Sequence, residues 1–212
     1  GPQRRQEILS VAQEYSIPIY EDDCYADLRF EGQAASAIHA YDDSGMVLYS
    51  GTFSKIVAPG MRIGWMVAPK EIVARVNAIQ LGTPPSQFSA LATLYYLRDH
   101  MDEHVEELCN IFKAKRDTML GAVGESMGSA AVLTEPSGGL YLWVRLPDGA
   151  DTVSVLEKAR ERGVVYGIGP AYSPSNHAHN YFRLCFGYHD HQEIRDGIAM
   201  LAETFESEGL LL

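Results

Sequence analysis

The sequence predicts an α/β protein. Helix-spaced apolar residues alternate with short apolar or period-two runs along the whole chain, and Gly, Pro, Ser and Thr clusters separate them. There are no internal repeats and no low-complexity segments.

Ile8, Ala12 and Tyr15 recur at helical spacing, so residues Gln3–Tyr15 read as an amphipathic helix. Ile17–Tyr20 is a short apolar run ending in Glu21-Asp22-Asp23, which reads as a buried strand delivering acids at its C-terminal end. Met46–Tyr49, behind Gly45, and Ile63–Ala68, stopped by Pro69, read as two further strands. Between them Gly51 to Gly60 reads as a loop of small and hydroxyl residues around a single lysine. Helices are expected at Lys70–Leu81 and Gln87–Leu97, separated by Gly82-Thr83-Pro84-Pro85. Met101, Val105, Leu108, Phe112 and Met119 then mark one face of a further long helix, with Gly121, Gly124 and Gly128 punctuating its end. In the last third, Leu140, Leu142, Val144 and Leu146 alternate with Tyr141, Trp143 and Arg145 at strand period. Asp151–Arg162 reads as a helix, and Val164–Ile168 and Tyr181–Phe186 as strands. Asp190-His191-Gln192-Glu193 is a capping-box start for a final helix with Ile194, Ile198, Leu201 and Phe205 on its apolar face. Three apolar strands with so few helices in the first half leave sheet faces and edges to be covered by partners or by further sequence.

The 212 residues suffice for one large domain or two small ones, and a 46% hydrophobic content excludes wholesale disorder. Lys and Arg number 17 against 28 Asp and Glu, so the net charge is −11. Such a piece is not expected to bind nucleic acid unaided or to seek anionic lipid. No apolar run approaches the roughly 18 residues of a membrane helix, and the polar start has no signal-peptide pattern. Cys24, Cys109 and Cys185 are scattered and odd in number, which favours a reducing cytoplasm over a disulfide framework. The chain begins Gly-Pro and enters a helix at once, as a protease scar or the back part of a longer protein would.

The chemistry-bearing stretch is Ser50-Gly51-Thr52-Phe53-Ser54-Lys55, followed seven residues later by Arg62. Small residues let backbone N–H groups approach an anion, hydroxyls add donors, and an arginine grips a phosphate bidentately. A lysine beside a phosphate site suits a Schiff base to a phosphorylated aldehyde cofactor. Taken singly, such a lysine is a solvated surface residue and such an arginine snorkels or pairs with an acid. Asp22 and Tyr25 form a second constellation at a strand's C-terminal end, where open α/β sheets bind ligands. A carboxylate there could keep a pyridine nitrogen protonated and a tyrosine could bond the ring's phenolic oxygen. A helix cap or a metal-binding acid cluster would use the same letters.

Taken together, Asp22-x-x-Tyr25, Thr52-Phe53-Ser54-Lys55 and Arg62 resemble the class I/II aminotransferases, the fold-type-I pyridoxal phosphate (PLP) enzymes. Tyr20-Glu21-Asp22-Asp23, Leu28-Arg29-Phe30-Glu31-Gly32 and Ala58-Pro59-Gly60-Met61-Arg62-Ile63-Gly64-Trp65 are similar to the branch of 2-aminoadipate and broad-range aromatic or branched-chain aminotransferases. That branch includes the aminotransferase-like domain of MocR-type transcription regulators. Pro136-Ser137-Gly138-Gly139-Leu140-Tyr141-Leu142-Trp143 resembles the glycine-rich entry to the small-domain strand, and Asn180-Tyr181-Phe182-Arg183-Leu184-Cys185-Phe186 the family's N-x-x-R-L-x-F.

The resemblance implies a mostly parallel-sheet large domain followed by a small α/β domain. Residues 1–100 would be the C-terminal part of the former, 101–128 a long connecting helix and 129–212 the small domain. It implies PLP as cofactor and an amino acid and a 2-oxo acid as substrates, 2-oxoglutarate among the latter. Lys55 would form the internal aldimine and, once freed, move the Cα proton. Asp22 would pair with the pyridine nitrogen and Tyr25 with the 3-hydroxyl oxygen. Thr52, Ser54 and Arg62 would hold the phosphate. Arg183 would anchor the substrate α-carboxylate, with Gly139 beside the substrate. The full-length protein would be a cytoplasmic homodimer.

The family's upstream glycine-rich phosphate segment, ring-stacking aromatic and Asn-Pro-x-Gly turn have no counterpart here. A piece of about half the family length, inactive by itself, is therefore expected. Thr52 replaces the commoner serine and keeps the hydroxyl, and Tyr172–Asn176 falls in a variable substrate loop. His100 and His104 have the i, i+4 spacing of two zinc ligands but lack the H-E-x-x-H glutamate, so no metal site is expected. Cys24 is expected to pack rather than react. The leading expectation is an aminotransferase, and the alternative is the PLP-binding effector domain of a MocR-type regulator. Lyase, decarboxylase and racemase chemistry on the same scaffold, and a PLP-free α/β module, rank lower.

Overall fold

The computed structural model describes residues 1–80 and 84–211. The chain forms two compact units, Gly1–Leu108 and Cys109–Leu212, each taken by itself below.

In the first unit, helix α1 (Pro2–Glu14) starts on a proline whose missing N–H costs a helix start nothing. Strands β1 (Ile19–Asp22), β2 (Val47–Thr52) and β3 (Gly64–Val67) follow, and then α2 (Lys70–Ile79). Their sheet has the order β1-β2-β3, with β1 and β2 parallel and β2 and β3 antiparallel. The register sets Asp22 opposite Ser50 and Gly51 opposite Trp65. Leu9, Leu28, Val47 and Ile56 are buried, whereas Ile17 and Tyr20 stand exposed. The run expected as a buried strand is therefore only half-buried: period two turns Ile19 and Glu21 to the half-buried side of β1 and Tyr20 and Asp22 to the exposed side, and Ile17 lies before the strand.

Where two helices are expected, at Gln87–Leu97 and from Met101 onward, one helix, α3, runs from Gln87 to Met127. The intervening Arg98-Asp99-His100 contains no helix breaker, and the Arg98 guanidinium donates twice to Asp99, at 2.8 Å each. Gly121 and Gly124 lie inside α3, and the helix ends where Gly128 turns to φ +53°. The chain passes from the first unit into the second within this helix. Leu81, Gly82 and Thr83, part of the expected helix end and linker, lie outside the described residues.

The second unit contains β4 (Val132–Leu133), β5 (Tyr141–Arg145), α4 (Thr152–Glu161), β6 (Gly167–Ile168), β7 (Tyr181–Cys185) and α5 (His191–Ser207). The strands pair antiparallel in the order β4-β5-β7-β6. One face carries Leu142, Val144, Phe182 and Leu184 into a core with Val155 and Ala159 of α4 and Ile194, Ile198, Leu201 and Phe205 of α5. Phe182, Phe205 and Tyr166 meet edge to face at 5.2–5.6 Å. Burying each large side chain contributes about 1.5–3 kcal/mol. The Tyr166 hydroxyl donates to the Thr152 carbonyl at 2.6 Å, and burial pushes its pKa up. The capping box at Asp190 and Glu193 forms as expected, and the backbone N–H groups of Glu193 and Gln192 hold the Asp190 carboxyl below its ordinary range. The opposite sheet face presents Tyr141, Trp143, Tyr181 and Arg183.

Candidate active site

Three consecutive acids stand at the end of β1, Glu21 and Asp22 within it and Asp23 just after, and each has a different environment. Glu21 points to the half-buried side, where its carboxylate accepts from the backbone N–H groups of Ile38 (2.8 Å) and His39 (2.9 Å). Arg5 donates to the same carboxylate at 3.2 Å. Asp23 accepts from the Tyr49 hydroxyl at 2.9 Å. Burial, this hydrogen bond and the Asp23 charge push the Tyr49 pKa up to about 12. Asp22, on the exposed side of the strand, takes no hydrogen bond among the described residues.

Asp22 lines a cleft of about 500 Å³ together with Thr52, Ser54, Lys55 and Arg62. Thr52 ends β2, and its hydroxyl lies 2.9 Å from the Ser54 hydroxyl and accepts from the Ser54 N–H at 3.1 Å. Arg62 has a left-handed backbone, φ +55°, and among the described residues its guanidinium donates only to the Pro59 carbonyl of its own turn, at 3.1 Å. The Lys55 amine stands 5.7 Å from the centre of the Tyr25 ring and has no ion pair among the described residues. Cys24 also lines the cleft. Burial, then repulsion by Asp22, raises its thiol pKa against the opposing pull of Lys55. A raised thiol pKa lowers the thiolate fraction, so the position suits packing.

Gly51 shapes this cleft. A Cβ there would come within 2.7 Å of Cε2 of Trp65, the residue directly across the sheet. The indole therefore lies over the glycine, edge-on to Tyr49 at 5.1 Å. The sequence marked His104 only by its zinc-like spacing with His100 and gave no sign of its contact with the Lys55 loop. Its Nε2 donates to the carbonyl of Ile56, next to Lys55, at 2.5 Å. A carbonyl only accepts, so Nε2 carries the hydrogen, and Nδ1 lies 3.0 Å from the Tyr96 hydroxyl. The helix periodicity could place His104 on a face but not opposite a loop 48 residues away.

Arg183 and Gly139 belong to the second unit. Gly139 has φ +78°, a left-handed conformation that glycine adopts without strain, immediately ahead of β5. Arg183 stands on β7 opposite Trp143, its guanidinium 4.0 Å from the Tyr141 ring centre and 4.2 Å from that of Tyr172. It donates no hydrogen bond and forms no ion pair among the described residues.

The family profile "Aminotransferase class I and II" matches residues 2–201. The chain belongs to that family. Its fold is accordingly that of a PLP-transferase, and pyridoxal 5′-phosphate is the cofactor that membership brings. It is 38% identical over 210 residues to aromatic-amino-acid aminotransferase 1 of Thermococcus litoralis, covering 97% of this chain and 50% of that protein. It is 30% identical over 206 residues to the HTH-type transcriptional regulator TauR of Rhodobacter capsulatus, covering 95% and 42%. The crystal structure of Pyrococcus horikoshii kynurenine aminotransferase in complex with PMP superposes with a TM-score of 0.90 at 38% identity, covering 97% of this chain and 52% of that one. The chain thus spans about half the length of the curated relatives it matches.

Proposed function

We propose that the full-length protein is a PLP-dependent aminotransferase, moving an amino group from an amino acid to a 2-oxo acid such as 2-oxoglutarate. One observation carries the reading: a single cleft holds a carboxylate that takes no hydrogen bond among the described residues, an amine, two hydroxyls and a guanidinium. That donor set fits the cofactor, because each of its polar groups has a complementary partner. Ser54 and Arg62 have donors to offer a phosphate, and Thr52, whose hydroxyl lies 3.1 Å from the Ile63 carbonyl and 2.9 Å from the Ser54 hydroxyl, would turn its one hydrogen toward it. Asp22 offers a carboxylate to a protonated ring nitrogen, and Tyr25 a phenol to the ring oxygen.

When bound, the cofactor supplies an aldehyde for the amino group and an electron sink for the bond broken at Cα. Lys55 is then both the residue that holds the cofactor and the base that moves the Cα proton. Asp22 keeps the ring nitrogen protonated. Arg183 binds the substrate α-carboxylate, with Gly139 at the entry to the neighbouring strand. In this reading residues 1–100 form the end of the large domain, 101–128 the connecting helix and 129–212 the small domain. The working form is a homodimer in the cytoplasm. The exposed apolar side chains Phe88, Leu91, Leu94 and Tyr95 on α3 support a subunit contact, and Cys24, Cys109 and Cys185, which form no disulfide among the described residues, accord with a reducing compartment.

The test is Lys55→Ala in the full-length protein, assayed with an amino donor and 2-oxoglutarate. Glutamate formation disappears if the assignment holds, and unchanged turnover refutes it. The likeness to TauR supports a second reading, in which the same site serves a DNA-binding regulator. Footprinting of the full-length protein separates the two, since only a regulator protects a specific DNA segment.

A further inference from the structure

The Arg183 guanidinium lies over two aromatic rings, 4.0 Å from the centre of Tyr141 and 4.2 Å from that of Tyr172, a placement the sequence pattern does not ask of a carboxylate anchor. Three elements produce it. In the register of β5 and β7, Trp143 stands opposite Arg183 and Tyr141 opposite Cys185, so Tyr141 is the diagonal neighbour on the same outer face. Tyr172 arrives from the 3₁₀ turn Gly169–Tyr172 and brings a second ring to 4.2 Å from the guanidinium carbon. Trp143 meets Tyr172 edge-on at 5.8 Å and stacks on Tyr181 at 5.5 Å, which braces the group.

The turn is tightly built. A Cβ on Gly169 would collide with the Ala178 carbonyl oxygen, so the backbone approaches closely there. A Cβ on Gly167 would lie 2.5 Å from the Tyr172 hydroxyl oxygen. Both glycines are therefore needed for Tyr172 to reach its place.

The geometry points to Tyr172 and Tyr141 as positioning residues that hold the Arg183 guanidinium by its faces and leave its N–H edge for a carboxylate. The inference rests on the reading of Arg183 as the substrate-carboxylate anchor and extends it to the residues that orient the anchor. Long arginine side chains lose rotamer freedom on binding, and stacking on an aromatic ring removes part of that loss beforehand without using a hydrogen-bond donor. An ion pair would orient the side chain as well but would occupy the N–H groups, and none is present among the described residues.

The experiment uses the PLP-loaded full-length protein and measures the Kd of 2-oxoglutarate by calorimetry, because the PLP form cannot turn over a 2-oxo acid. Steady-state kcat and KM are recorded alongside. Tyr172→Leu is expected to raise Kd and KM about three- to tenfold and to leave kcat within about twofold, because the anchor is used equally in ground and transition states. Tyr172→Phe, which keeps the ring, should restore the original Kd. Gly167→Ala displaces the ring without removing it and should raise Kd in the same direction. Added to Tyr172→Leu it should add nothing further. Unchanged Kd in both Tyr172→Leu and Gly167→Ala overturns the proposal when Arg183→Gln still weakens binding. Unchanged Kd in Arg183→Gln overturns the carboxylate reading, and the proposal with it.

Discussion

Glu21 and Asp22 are adjacent, equally acidic and predicted to fail in opposite ways when neutralised. Glu21 accepts two backbone N–H groups at 2.8 and 2.9 Å and an Arg5 N–H at 3.2 Å, with its side chain only 10% exposed. A hydrogen bond to a charged group contributes about 1.5–3 kcal/mol. In Glu21→Gln one carbonyl oxygen remains as acceptor, while the new NH₂ turns a donor toward a donor. Net destabilisation of about 2–4 kcal/mol follows, because one bond is lost and a desolvated N–H is left without an acceptor. Asp22 is exposed and takes no hydrogen bond among the described residues, so Asp22→Asn should change stability by no more than about 0.5 kcal/mol. Its cost falls on activity instead, at least about 100-fold if the carboxylate controls the ring proton. Urea midpoints and the single-turnover rate with an amino donor measure both effects. Equal loss of stability in the two variants, or normal turnover in Asp22→Asn, would refute the reasoning.

Gly51→Ala should lower stability by about 1–3 kcal/mol and weaken PLP binding, since the added methyl displaces Trp65 beside Thr52; thermal melts and a PLP titration test it. His104→Ala should cost about 0.5–1.5 kcal/mol and loosen the Lys55 turn, and His104→Gln should recover part of this in a denaturant titration because its amide can still donate to the Ile56 carbonyl. Tyr49, with a folded pKa raised to about 12, contributes stability that is complete below its ordinary value near 10 and is lost as pH rises from about 10 to 12. Melting temperatures across that range should fall more steeply in the natural protein than in Tyr49→Phe.

Most elements could be read from local pattern. The apolar spacing of α5, its capping box, and the period-two alternation of β5 all act within a few residues, and the structure bears them out. Strands of two residues, such as β4, are too short to show a period and exist through their pairing with β5. The expected break in α3 failed because a charged stretch without Gly or Pro has no local reason to leave the helix.

The site divides the same way. The residue types Asp22, Thr52, Ser54, Lys55 and Arg62 and their order along the chain belong to the sequence, since strand ends and small-residue loops put such groups beside a crevice. Which of three neighbouring acids stays unpaired was decided only by the fold, because Ile38, His39 and Tyr49 come from distant segments to occupy the other two. The aromatic cover on Arg183 was likewise decided by strand register and by a turn with no room for a Cβ. Hydrogen-bond partners and stacking faces are set by distances between residues far apart in the chain, and those distances exist only once the strands have paired.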